Sequence, residues 1–167
     1  MIVDATEQRV NRPKKKRARK AHHSGKRKDF TLKEQIMGTR KKIILHVSDP
    51  VPGRIHDYTL FHRSGVPQWL SKHLDITGRV DLGYQGANTD YPKATIVLPV
   101  KRSRSKHELT RSEKIHNTKK AKHRIWIENT IALLKKFKLL AGGIYRNAKE
   151  NYGSLFKSIV SSPTSEH

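Results

Sequence analysis

Cysteine is missing from all 167 residues. Disulfides, thiolate zinc sites and cysteine nucleophiles are thereby excluded, and the compartment is left open beyond fitting a reducing cytosol. Long apolar runs are missing too. The longest, KIILHV at 42–47 and ATIVLPV at 94–100, fall far short of the roughly 20 residues that a membrane helix needs. The opening MIVD puts a charge ahead of any hydrophobic stretch, unlike a signal peptide. Acid is scarce: 14 Asp and Glu stand against 36 Lys and Arg, a formal charge of +22 with His neutral. Only 34% of residues are hydrophobic, and mean hydropathy is −0.77. Self-repulsion on that scale calls for a polyanionic partner, for which nucleic acid is the usual solution. An acidic membrane surface would require an amphipathic helix beside a lipid-seeking segment. The length suits one domain with a real core.

What is present has a readable order. IVDAT at 2–6 reads as a strand. Residues 12–28, RPKKKRARKAHHSGKRK, carry ten Lys and Arg and no acid, a composition expected to form a solvated loop or ribbon inserted after that strand. Strands are expected at 29–38 and 42–47, with GTRK between them at hairpin spacing. SDPVPG at 48–53 is a loop. Helical periodicity runs from Asp57 to Leu74, split near Gly65-Val66-Pro67. Short strands are expected at 77–82 and 95–100, the second apolar on both faces as a central strand would be. Thr110 and Glu113 have capping-box spacing, so a long helix should start near Thr110. It should run to about Leu140, where Ala141-Gly142-Gly143 stops it. A last short helix is expected near 150–160. This order predicts an α/β fold: a mixed five-stranded sheet, antiparallel at first and parallel later, flanked by helices. Residues 1–148 would form the domain and 149–167 a short helix with a polar tail.

Three carboxylates stand out by position. Asp4 lies inside an apolar strand, where an acid is costly unless it is paired or binds metal. Asp81 ends a strand before the glycine turn LGYQG, where α/β sheets build their sites; it can equally be an Asp that caps the turn. Glu128 is the only acid between Glu113 and Glu150, beside Ile125, Trp126, Ile127 and Ile131. It can also be read as a surface acid paired with Arg124 or Lys135 on its helix face. Taken together, the three offer the hard oxygen ligands that Mg²⁺ or Mn²⁺ requires. Two such ions about 4 Å apart can activate water and stabilise a leaving oxygen in phosphodiester cleavage. His56-Asp57 is a further pair. The expected role of Asp57 is to cap the helix after the proline loop, with His56 packed beneath it; the alternative is support beside the metals.

The motifs VDAT, HHSGKRKDFTLKEQ, VSDPVPGRIHD, DLGYQG and RIWIENTIALLKKFKLL, followed by YRN, occur in order over nearly the whole chain. Together they resemble the catalytic domain of DDE transposases of the insertion-sequence and Harbinger-like kind. The resemblance implies a ribonuclease-H-like fold with Asp4, Asp81 and Glu128 as the catalytic, metal-binding triad. An Arg four before the Glu and a Lys seven after it are matched by Arg124 and Lys135. Ala121 stands where a Tyr is often found. Such proteins usually carry a helix-turn-helix region before the first catalytic strand, which here begins almost at Met1.

The resemblance predicts a Mg²⁺- or Mn²⁺-dependent DNA endonuclease and strand transferase. Its partners would be transposon ends and target DNA, with a homodimer or higher assembly on that DNA and no membrane. Lys14, Lys15, Lys16, Arg17, Arg124 and Lys135 are the expected DNA contacts. The expected location is nucleoid-associated cytoplasm in a prokaryote, or the nucleus in a eukaryote. The alternative is a basic nucleic-acid-binding protein without chemistry, such as a ribosome-associated protein or an inactive transposase remnant. The three acids in basic or apolar surroundings separate the two, since a pure binder has no use for them.

Overall fold

The computed structural model describes residues 1–101, 108–136, 143–146 and 151–161, with the side chains of residues 123 and 124 outside that description. The expected hairpins organise one edge of the sheet. Strand β1 (Ile2–Arg9) pairs antiparallel with β3 (Asp29–Gly38) along its whole length, from Ile2 opposite Gly38 to Arg9 opposite Thr31. The chain then turns back into β4 (Ile44–Val47), with Lys42 in the left-handed region at φ 62°, and β5 (Val51–Pro52) also lies on β3. On the other side β1 pairs in parallel with β6 (Gly78–Arg79), which pairs in parallel with β7 (Ile96–Val97). With β2 (His23–Ser24) on β3, the order is β2-β3-β1-β6-β7. This is the mixed α/β sheet that the sequence predicts, compatible with a ribonuclease-H-like layout.

Alternation in the strands divides the core in two. Ile2 and Ile36 point to the face covered by α5 (Arg111–Leu134) and α6 (Tyr152–Ser161), where Ile127, Leu134, Tyr152 and Phe156 join them. Val3 and Met37 point to the face covered by α2 (Asp57–Arg63), α3 (Val66–Lys72) and α4 (Ala87–Asp90), among Phe61, Leu70, Val80 and Tyr84. The break between α2 and α3 falls at Gly65, with φ 75°, just ahead of Pro67.

The long helix starts as expected. Thr110 accepts from the Glu113 amide at 3.3 Å, and the Thr110 amide donates to Glu113 Oε2 at 2.9 Å, closing the capping box. Its end differs: the described helix stops at Leu134, and the Lys136 amide tightens onto the Leu133 carbonyl at 3.0 Å. Leu134, the last residue of the helix, is buried, and Lys135-Lys136 follow with like charges. The stop expected at 141–143 falls largely outside the described residues. Residues 12–28 differ as well. They contain a short helix, α1 (Lys16–His22), and the β2 pairing, because both ends are tied down. The Arg54 amide donates to Ala21 O at 3.1 Å, and His23 packs edge-on against Phe30 at 5.9 Å. Residues 95–100 supply only β7, which ends the sheet path and is not central.

One buried group is out of keeping with its surroundings. Glu34, 1% exposed, lies on the α6 face opposite Thr6, and neither of its oxygens makes a well-formed hydrogen bond. Burial raises its carboxyl to about 9, against smaller opposing effects from Tyr152 and Lys157. A carboxyl raised in the folded state is protonated there while its unfolded counterpart is ionised. Stability should therefore fall as pH rises from about 5 to 9, by at most about 1.4 kcal/mol per pH unit. Glu34→Gln is expected to remove that slope and to raise Tm above the parent at pH 8 and above. Thermal melts across pH 5–9 check this, and parallel profiles for the two proteins would contradict it.

Candidate active site

The parallel register gives two of the three acids corresponding positions in the chain direction. Ile2 is opposite Arg79, and Asp4 and Asp81 each lie two residues further on in the same direction, Asp81 just past the end of β6, so alternation turns both toward one face of the sheet. That face is the one α5 covers, since Asp4 is opposite Ile36, a residue of the α5 and α6 core. Asp4 is half-buried, and its Oδ1 accepts from the Ala5 amide at 2.8 Å. Asp81 leaves β6 in extended conformation and caps a single 3₁₀ turn, Leu82–Tyr84, with Oδ1 accepting from the Leu82 amide at 2.6 Å. The capping role considered for Asp81 is thus realised. It engages one oxygen of two, and a carboxylate has about four lone-pair positions, so capping and ligation are compatible.

Glu128 rides on α5. Its neighbour Ile127 is buried above the Ile2–Gly38 pair, with its Cδ1 3.1 Å from where a Gly38 Cβ would be. Further along the helix, Ile131, Leu134 and Lys135 line a narrow cavity with Thr6, Glu7 and Gln8. Helix and strand therefore advance together, with Glu128 between the levels of Ile2 and Thr6, as Asp4 is. Glu128 is itself exposed, and so are Ile125 and Trp126. Among the described residues, no three His, Asp or Glu are gathered closely enough to hold a metal ion. The donor set still fits a hard divalent cation in kind, with two carboxylates at adjacent strand positions and a third on the helix above them.

Expectations for His56 and Asp57 need correction. Asp57 is the first residue of α2 and makes no cap, while His56 is exposed and not packed beneath the helix. The Asp57 carboxylate is committed elsewhere. Lys33 Nζ donates to Asp57 Oδ1 at 2.7 Å and to Ile55 O at 2.7 Å, with Glu7 Oε1 at 3.5 Å. Thr31 donates to the other Glu7 oxygen at 2.9 Å. The loop comes this close to β3 because residue 53 is glycine: a Cβ there would be 1.8 Å from Thr31 Oγ1. Asp57 in turn lies against the turn after Asp81, with its Oδ2 3.3 Å from the Cβ position of Gly83. Tyr84, fully buried and edge-on to Phe61 at 5.4 Å, anchors the same turn.

Sequence reasoning missed Glu7 and Lys33. The available signal was KEQ at 33–35, three polar residues inside an otherwise buried strand. The expected DNA contacts Lys14, Lys15, Lys16 and Arg17 are exposed at the start of α1. Lys135 is half-buried. Burial, then Arg27, holds its ammonium below the usual lysine range, against the pull of Glu7 and Asp4. The side chain of Arg124 lies outside the described residues.

Comparison with known proteins settles the family. A model of the DDE superfamily endonucleases matches residues 3–160. This chain belongs to the DDE superfamily endonucleases. A protein of Microchaete diplosiphon described as "Probable transposase for insertion sequence element IS702" is 33% identical over 153 residues, covering 92% of this chain. The DDE chain spans 52% of that relative's length. No solved structure matches it. No described helix is long and apolar enough to cross a membrane.

The Lys33 network carries a prediction for this DDE domain. Lys33→Met removes the cation between two carboxylates, of which Glu7 is 6% exposed. Removing one partner of a buried pair costs about 3–5 kcal/mol, so the urea midpoint should drop accordingly. A change below about 1 kcal/mol would show the network to be a bystander.

Proposed function

We propose that the chain is the catalytic domain of an insertion-element transposase, cleaving DNA strands and joining them to a target with Mg²⁺ or Mn²⁺. The observation that supports the reading is the parallel pairing of Ile2 in β1 with Arg79 in β6, each two residues ahead of an aspartate, Asp4 and Asp81. Asp4, Asp81 and Glu128 would hold the ions. Bound there, the ions would activate a water and stabilise the leaving oxygen of a phosphodiester. The chain's own residues supply the rest. The Leu82 amide and the Gly83–Asp57 contact hold Asp81 at the end of its strand. The capping box and Ile127 hold α5, and Glu128 with it, over the sheet. Exposed Lys14, Lys15, Lys16 and Arg17, with Lys135 beside Asp4, draw the DNA backbone toward the carboxylates.

The binding-only alternative draws support from the lack, among the described residues, of three His, Asp or Glu grouped closely enough to hold a metal, and one experiment separates the two. Asp81→Asn and Glu128→Gln each remove an anionic ligand and a charge that repels phosphate. Mg²⁺-dependent nicking of supercoiled plasmid should fall at least about 100-fold, while DNA affinity is kept or slightly raised. Nicking that survives both substitutions would leave the binding-only reading in its place.

A further inference from the structure

A cleft of about 390 Å³ opens between α1 and the loop joining β5 to α2. It falls within the roughly 300–1,000 Å³ occupied by small-molecule sites. Arg17, Lys20 and Arg54 bring three cations to its wall, no acid lines it, and Pro52 and Ile55 give it apolar surface beside the His56 imidazole. The cleft is a fixed feature of the fold, because the Arg54–Ala21 backbone bond braces α1 against the loop and Lys33 grips Ile55 O. His56 on its wall precedes Asp57, which abuts Gly83 in the turn after Asp81.

A duplex running past such a cleft would meet it with phosphate, sugar and base edges but no base face, since its bases are stacked on one another. Cations beside an apolar recess match a nucleotide whose base is unstacked, because every base has an apolar face and every linkage a charge. We propose that this cleft seats an unpaired nucleotide of the bound DNA. Its phosphates lie on Arg17, Lys20 and Arg54, and its base lies against Pro52, Ile55 and His56. This inference rests on the proposed DNA reading and adds a site for a single-stranded segment.

The test compares two oligonucleotide duplexes, one blunt and one with a short single-stranded overhang carrying 2-aminopurine. Affinity is read by anisotropy, and base environment by 2-aminopurine fluorescence. The wild-type chain should bind the overhang duplex at least about five-fold more tightly and change the 2-aminopurine signal. Arg17→Gln with Arg54→Gln, both at exposed positions, should abolish the preference and lower the log–log salt slope on the overhang by about 0.7 per lost contact. Ile55→Ser should remove the fluorescence change with the slope kept, and unchanged melting temperatures verify that each variant is folded. Equal binding of both duplexes by the wild type, or an equal loss on both in the double variant, would overturn the unpaired-nucleotide site and leave the DNA reading intact. Failure to bind either duplex would overturn both.

Discussion

The parallel pairing of β1 with β6 is the contact on which the candidate site depends. The Arg79 amide donates to Met1 O at 2.9 Å, Ile2 faces Arg79, and both strands then run toward the same edge. A slip of one residue would turn Asp4 and Asp81 to opposite faces. Two apolar cores hold the register. Ile2 is committed to the α5 and α6 side and Val3 to the α2 and α3 side, so β1 cannot slide without exposing one of them. The acid positions thus follow from burying the residues around them.

The polar interior of β3 does related work on both faces. Lys33 reaches toward α2 and satisfies Glu7, Asp57 and the Ile55 carbonyl, which fixes the loop and braces the glycine turn that carries Asp81. Glu34, one residue on, points the other way, toward α6, and is held there without its charge at neutral pH. One strand therefore contributes a fully paired cation on one side and a neutralised acid on the other. These are the two ways a buried ionisable group becomes tolerable. The chain as a whole remains strongly cationic, with a formal charge of +22.

Much of this was legible in the sequence where the signal was local. The bounds of β3, the hairpin into β4, the break at Gly65 and the capping box at Thr110 all came from residues adjacent in the chain. The family was legible from the ordered motifs. Other features depended on tertiary contact. Residues 12–28 acquire helix and strand only because Arg54 and Phe30 meet them from elsewhere. Asp57 was expected to cap α2, yet His56 holds the cap position and Lys33, distant in sequence, takes the Asp57 carboxylate. Helix α5 stops at Leu134, ahead of the like-charged pair Lys135-Lys136, although its composition continues to favour helix beyond that point.

If the β1–β6 register builds a divalent-cation site from Asp4 and Asp81, with Glu128 as a third ligand, a crystal soaked in Mn²⁺ will reveal it by anomalous diffraction. A manganese peak is expected between the two aspartates, with carboxylate oxygens at about 2.0–2.2 Å and the remaining positions filled largely by water. A crystal whose manganese sits elsewhere, with no peak between Asp4 and Asp81 at saturating metal, would contradict it.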